Sequence, residues 1–287
     1  MPLFGPRKLG VALGSGSARG LAHVGVLKVL ESRGLAPDIV TGTSMGAVVG
    51  ALYAAGLTPV EIEEIALGFD VKSLLSFADM TMKSGALLSG EKVEEFLGEH
   101  LPATFAELRM PFGCVSTDLA TGERAVHTEG DLVQAVRASM SIPVIFMPVR
   151  VGERILVDGF LCDPVPVSLA RELGAKVVVA VDVSGDGRLQ PGAEADNGIG
   201  LLKDLRAALR GERTRSRGVT GLEIASASIE VLERNLAMRS LASADLVISP
   251  EVHEYAGYQF LSVESLVERG EAVTDALTDQ IRRRARR

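Results

Sequence analysis

The chain contains no tryptophan and only three tyrosines, and its formal net charge is -7. Proteins that grip single-stranded nucleic acid stack bases on aromatic rings and follow the backbone with lysine and arginine, so this composition speaks against a nucleic-acid partner. Cysteine is scarce. Cys114 and Cys162 are too few for a disulfide framework or a four-cysteine zinc site, and they are read as small apolar side chains in a reducing compartment. Met1 to Lys8 holds no apolar core of the kind a secretory signal carries. Long hydrophobic runs are lacking too. The most apolar helical stretch, Met45 to Leu57, is short of the roughly 20 residues a membrane span needs. A soluble, cytoplasmic protein is the expectation.

What the chain does have is apolar side chains. Hydrophobic residues fill 47% of 287 positions and charged residues 23%, enough for a sizeable core in one domain. Leu9 to Leu13 reads as a short strand, followed by a Gly-rich segment and by Leu21, Val24, Leu27 and Leu30 at helical spacing. Asp38 to Thr41 is a second strand. Met45 to Ala55 is apolar nearly all round, which predicts a buried helix closed by Gly56. Thr58-Pro59-Val60-Glu61 is a capping box with proline at the first helical position. Further strands are expected at Pro111 to Leu119, Arg154 to Val157, Lys176 to Val183 and Leu246 to Ser249. Helices are expected at Gly90 to His100, Asp131 to Met140, 199–210, 219–239 and Ser262 to Arg287. The β-branched run at Lys176 to Val183 suits a central parallel strand covered on both faces. This alternation implies an α/β fold with a largely parallel sheet and helices on both faces.

Three short segments can carry chemistry. Gly42-x-Ser44-x-Gly46 lies between a strand and a helix. A nucleophilic serine needs a sharp turn that lifts Oγ out of the sheet, and flanking glycines remove the Cβ atoms that would crowd it. The helix behind it offers N–H groups and a positive dipole end to a developing oxyanion. The same pattern also describes an ordinary Gly-rich turn; the strand before it and the apolar helix after it favour the nucleophile. Gly14-Ser15-Gly16-Ser17-Ala18-Arg19-Gly20 is a second Gly-rich turn, lacking both the Walker ending and the dinucleotide spacing. It is better read as an oxyanion loop beside the serine, on the same edge of the sheet. Asp158 ends a strand and precedes Gly159, which on its own is a common turn. None of His23, His100, His127 and His253 sits in a motif, and each is read as a packing or surface residue.

Leu13 to Gly20, Gly42 to Gly46 and Val157 to Gly159, in this order and spacing, resemble the patatin-like phospholipases, most of all their small bacterial members. The similarity extends to Ala22-His-Val-Gly-Val-Leu27, Ala138-Ser-Met-Ser-Ile-Pro143 and Asp163-Pro-Val-Pro-Val167, and runs from about residue 8 to about 250. It implies a three-layer α/β/α sandwich and a serine lipid acyl hydrolase (phospholipase A, lysophospholipase or carboxylesterase) working through a Ser–Asp dyad without histidine. Carried over, Ser44 is the nucleophile and Asp158 the base. Backbone N–H groups of Gly16, Ser17 and Ala18 form the oxyanion hole, with Gly14, Arg19, Gly20, Gly42, Gly46 and Gly159 supporting the motifs. No metal or cofactor is implied. Residues 8–250 form the catalytic domain and 251–287 a helical extension with a basic end. The chain departs from the family where Ser15-Gly16-Ser17 stands for three glycines, so Ser17 must take a conformation that glycine adopts more easily. It departs again where Phe160 follows Asp158-Gly159, and Phe160 is expected to narrow the site or line an acyl pocket.

Two other readings stay open at this point: a Ser–His α/β-hydrolase or acyltransferase, with His253 last in chain order, and a non-catalytic lipid-binding module that keeps the fold. Segment 199–217 carries Ile199, Leu202, Leu205 and Leu209 on one stripe. Lys203, Arg206, Arg210, Arg213, Arg215 and Arg217 against Asp204 and Glu212 leave it a net charge of +4. Such an amphipathic segment suits either packing on the domain or peripheral contact with an anionic membrane surface. The arginines from Arg282 to Arg287 are read as a solvated helix end that complements the helix dipole. The substrate's head group and chain length are not legible, nor is the oligomeric state.

Overall fold

A computed structural model describes residues 7–68, 89–143, 145–185, 221–255, 257 and 259–286, with backbone alone for 221–226. In chain order it holds β1 (Leu9–Leu13), a 3-10 helix (Ser17–Leu21), α1 (Ala22–Ser32), β2 (Ile39–Thr43), α2 (Met45–Ala55) and α3 (Pro59–Leu67). These lead to α4 (Glu91–His100), β3 (Phe112–Asp118), β4 (Arg124–His127), α5 (Leu132–Ser139), β5 (Val149–Val151) and β6 (Arg154–Asp158). The chain continues through α6 (Val167–Glu172), β7 (Val177–Val181), α7 (Gly221–Leu241), β8 (Leu246–Ile248) and α8 (Val263–Ala285). The amphipathic segment 199–217 and the helix expected at 199–210 lie outside the described residues. No helix among the described residues is long and apolar enough to cross a membrane.

One sheet carries the eight strands in the order β5-β6-β3-β2-β1-β7-β8, with β4 also paired to β3. The strands β3, β2, β1, β7 and β8 run parallel. β4, β5 and β6 add antiparallel pairs, so the expected parallel sheet is the centre of a mixed one. β1 and β7 are buried at every residue and alternate between two cores. Leu9, Val11 and Leu13 join Val177, Val179 and Val181 in the larger core, under α1, α2 and α8. Ala12, Val178 and Ala180 face the smaller core, closed by Val167 and Ala170 of α6 and Ala237 of α7. This is the three-layer α/β/α arrangement. β4 and β5 were not expected from sequence. They are short, and residues such as Arg124, Val126 and Val151 are half-buried or exposed, so apolar patterning does not mark them.

The helix α8, in the segment expected as a C-terminal extension, places Val263, Leu266, Val267, Ile281 and Ala285 in the larger core. Its crossing with α1 is close because glycine stands on both sides. A Cβ at Gly25 would lie 2.0 Å from the Val267 carbonyl oxygen, and one at Gly270 2.0 Å from that of Ala22. Since both obstacles are backbone, neither can rotate away. Gly25→Ala and Gly270→Ala should each lower the unfolding free energy by about 1–3 kcal/mol, the usual cost of overpacking. Urea denaturation measures this, and midpoints equal to the parent's would rule the tight crossing out.

Candidate active site

β3 brings the two key residues together. β4 pairs with β3 over Cys114 to Thr117 and takes up one of its edges. Both β2 and β6 therefore lie along the other edge, where Thr43 pairs with Val115 and Asp158 with Ser116. β2 runs parallel to β3 and β6 antiparallel, so their C-terminal ends meet head to head. The residue that follows β2 is Ser44 and the last residue of β6 is Asp158. Ser44 Oγ donates a hydrogen bond to Asp158 Oδ2 at 2.6 Å.

Ser44 sits at the sharp turn its flanking glycines predict, with φ 57 and ψ -124. That backbone is strained for any residue with a Cβ, at a cost of about 1–3 kcal/mol. The strain persists because the neighbours hold it. Ser44 N–H donates to Ser139 Oγ at 3.0 Å, and Ser139 Oγ donates to the Val115 carbonyl at 2.7 Å. A Cβ on Gly42 would lie 2.2 Å from the Gly46 carbonyl oxygen, and one on Gly46 2.2 Å from that of Leu13. The second contact seats the start of α2 directly against the end of β1.

Asp158 is completely buried. Its Oδ1 accepts from Phe160 N–H at 3.0 Å, its carbonyl accepts from Thr117 Oγ1 at 2.9 Å, and its own N–H donates to the Ser141 carbonyl at 2.9 Å. Burial pushes its carboxyl up to about 8, against the hydrogen bonds from Ser44 and Phe160; the nearby Glu233 carboxyl adds a further upward push. Gly159 permits the approach, because a Cβ there would lie 2.2 Å from the Val115 carbonyl oxygen. Phe160 is itself buried and donates its N–H to Asp158 Oδ1.

The Gly-rich loop lies alongside. Ser17 takes φ 52, the left-handed conformation foreseen for it. Gly14 and Ser15 N–H groups are engaged by the Val181 and Pro164 carbonyls. Arg19 N–H donates to the Gly16 carbonyl and, importantly, Ala18 N–H donates to the Gly257 carbonyl at 2.9 Å. Ala18, expected as an oxyanion donor, thus has its N–H already engaged. The N–H groups of Gly16 and Ser17 have no acceptor among the described residues. The Arg19 side chain is buried: its Nε donates to the Val183 carbonyl and an Nη lies 3.5 Å from Glu230.

Sequence reasoning missed three contributors. Ser139 lies in a segment that had been noticed but given no role. Glu233, on α7, accepts from Ser15 Oγ within the buried site and carries no sequence signal, being far along the chain on an ordinary helix. Gly257 acts through its backbone alone. The histidines stand apart from the serine. His23 Nε2 lies 2.7 Å from the Gly14 carbonyl, and burial pulls its imidazole down to about 4. A carbonyl only accepts, so Nε2 carries the proton and the ring is a neutral donor. His127 pairs with Ser116 Oγ, His100 with the Phe96 carbonyl, and His253 is exposed. Among the described residues no group of three or more His, Cys, Asp or Glu is placed to hold a metal ion.

Residues 11–171, more than half of the chain, match the family model described as patatin-like phospholipase. An uncharacterised NTE family protein of Mycobacterium tuberculosis is 35% identical over 179 residues, covering 62% of this chain and 49% of that protein. Another from the same organism is 30% identical over 272 residues, covering 92% of this chain and 45% of the relative. Lysophospholipase NTE1 of Pyricularia oryzae is 34% identical over 199 residues, covering 68% of this chain and 13% of that protein. The chain thus spans half or less of the length of these curated relatives. Its fold is similar to that of VipD from Legionella pneumophila, with a TM-score of 0.52 and 13% identity over 96% of this chain and 67% of the other.

Burial of Asp158 gives stability a pH dependence. An unfolded chain releases this proton near 3.8, whereas the folded protein keeps it up to about 8. The native state binds more protons between those values, so this group's contribution to stability falls as pH rises through the window. Asp158→Asn should remove that slope. Its thermal midpoint should match the parent's at about pH 4 and exceed it by several degrees, on the order of 5 °C, at about pH 8. A melting series across the window measures this, and a pH-independent gap would contradict the buried proton.

Proposed function

The chain belongs to the patatin-like phospholipase family, and from that premise we propose that it hydrolyses carboxylic esters of lipids through an acyl-enzyme on Ser44. Asp158 acts as the base. The single observation that most supports this is the buried 2.6 Å hydrogen bond from Ser44 Oγ to Asp158 Oδ2, at a strained turn that projects the hydroxyl. The relative named a lysophospholipase supports phospholipids or lysophospholipids as the substrate class. Residues 8–250 are taken as the catalytic domain and 251–287 as a helical extension packed on it.

The steps balance with these residues alone. Asp158 Oδ2 takes the Ser44 proton as Oγ bonds to the ester carbonyl carbon. The carbonyl oxygen becomes an oxyanion, held by the Gly16 and Ser17 N–H groups. Collapse breaks the bond to the leaving alkoxide, which takes the proton from Asp158. Water then attacks the acyl-enzyme while Asp158 takes its proton, and collapse breaks the bond to Ser44 Oγ, which takes that proton from Asp158 as the acid is released. A carboxylate pushed to about 8 is at least as basic as an ordinary imidazole, which supports a dyad without histidine. Since the base must be ionised, kcat/KM should rise with pH and level off above about 8.

Ser44→Ala should fold and lose both turnover and labelling by a fluorophosphonate. Asp158→Asn keeps the shape and should lose on the order of 10³-fold or more, because nucleophile and base act as a unit. Alanine at His100, His127 or His253 should leave kcat/KM within about tenfold, or about 1.4 kcal/mol of barrier. An active Ser44→Ala protein, or one of these histidine variants as inactive as it, would sink the assignment.

The basic amphipathic segment 199–217 supports contact with anionic lipid surfaces. Serine at Leu202, Leu205 and Leu209 should weaken binding to anionic vesicles about tenfold, since three apolar side chains are lost from the stripe, and spare hydrolysis of a soluble ester. Vesicle sedimentation tests this, and unchanged binding would assign the stripe to packing.

A further inference from the structure

Among the buried acids that the scheme leaves unused, Glu233 lies beside the Gly-rich loop. Glu233 is 7% exposed, on α7, and its carboxyl meets the hydroxyl of Ser15 in the Gly-rich loop. A carboxyl does not stay in such a place without a partner, because leaving water costs several kcal/mol unless hydrogen bonds replace the lost ones. Neighbours on its helix show that the contact belongs to a built face. Glu230 reaches Arg19 at 3.5 Å, Ala237 joins the smaller core, and Ser240 Oγ donates to Asp163 Oδ1 at 3.1 Å. Positions 230, 233, 237 and 240 form one helical stripe, and it lies against the loops that carry the proposed oxyanion donors and follow Asp158.

The loop needs such a support. Ser17 holds φ 52, which costs a residue with a Cβ roughly 1 kcal/mol relative to glycine. The N–H groups of Gly16 and Ser17, without an acceptor among the described residues, are useful only while that conformation is kept. Anchors on either side hold it: Ser15 N–H to Pro164, Ala18 N–H to Gly257, Arg19 Nε to Val183. Before Gly16, the Ser15 hydroxyl is anchored on Glu233 and the Gly14 carbonyl on His23 Nε2. We propose that Glu233 is a positioning residue: through Ser15 it fixes the loop so that the Gly16 and Ser17 N–H groups point at the developing oxyanion. This rests on the reading of Ser44 as nucleophile.

The charges around Glu233 fit the role. Arg19, Glu230 and Asp182 face it, and Asp158 lies close enough to feel its field. Burial pushes Glu233 toward its neutral form, opposed by Ser15 and Arg19.

A loop that positions donors for the transition state affects kcat and leaves KM nearly unchanged. The test measures kcat and KM for p-nitrophenyl butyrate and the rate of Ser44 phosphonylation by a fluorophosphonate, in Ser15→Ala, Glu233→Ala, their double variant and Glu233→Gln. Each single alanine should lower kcat and the phosphonylation rate by about tenfold to a hundredfold, with KM within about threefold. The double variant should be no more than about twofold worse than the weaker single, because both remove one bond. Glutamine retains an oxygen that accepts from Ser15 and should restore kcat to within about threefold. Should Glu233→Ala fail to fold, Ser15→Ala and Glu233→Gln decide the matter. A Ser15→Ala protein with parental kcat, multiplicative effects in the double variant, or a Glu233→Gln protein as slow as Glu233→Ala would overturn the proposal. Turnover in Ser44→Ala would instead overturn the nucleophile and is read separately.

Discussion

The register of β3 is the constraint on which the site depends. A strand has two hydrogen-bonding edges, and β4 fills one of them. On the other, β2 and β6 share the length of β3, and the boundary falls between Val115 and Ser116. One residue of slip in either partner would move every side chain of that strand to the opposite face. Neither slip is available. Val40 of β2 belongs to the larger core, and Leu156 of β6 packs with Ala125 and Ala138 in a third small cluster. Burial of ordinary apolar residues some distance away thus sets the separation of Ser44 and Asp158 to a hydrogen bond.

That arrangement works against stability. Ser44 is strained and Asp158 is a carboxyl removed entirely from water. Both are held by backbone contacts: Ser139 on Ser44, Ser141 and Thr117 on Asp158. Ser139 and Ser141 lie at the end of α5, where the buried Arg137 donates to Ser141 Oγ and to the Met147 carbonyl and stacks on Phe146. A helix end fixed this way holds Ser44 and Asp158 in one frame. The close α1–α8 crossing and the continuous core under the sheet supply the stability that such a site consumes.

Much of this was legible in the sequence where a local rule decides the outcome. The capping box at Thr58 and Glu61, the all-apolar α2, and the Gly42 to Gly46 turn each follow from residues a few positions apart. The left-handed Ser17 followed from a serine standing where glycine is easier. What was not legible depends on distant partners. β4 and β5 exist because β3 and β6 offer edges. The engaged N–H of Ala18 depends on Gly257, and the anchoring of Ser15 depends on Glu233, 218 positions along the chain. No spacing rule connects such residues, since only the closing of the sheet and the seating of α7 bring them together.

On the proposed reading, the absence of histidine from the dyad follows from the same geometry. An imidazole base needs room beside the serine and usually a third group to orient it. Here the head-to-head strand ends place a main-chain-anchored carboxyl directly on the hydroxyl, with no rotatable chain longer than that of aspartate between base and backbone. Its low intrinsic basicity is raised mainly by burial, with a further push from the Glu233 carboxyl. His23, the nearest imidazole in chain terms, is held neutral, with Nε2–H donating to the Gly14 carbonyl. It thereby fixes the first residue of the Gly-rich loop, while α7 and the Gly257 carbonyl hold the residues that follow. On the proposed reading, base and oxyanion donors are set by separate layers of the sandwich, and the sheet edge between them is where the substrate carbonyl must sit.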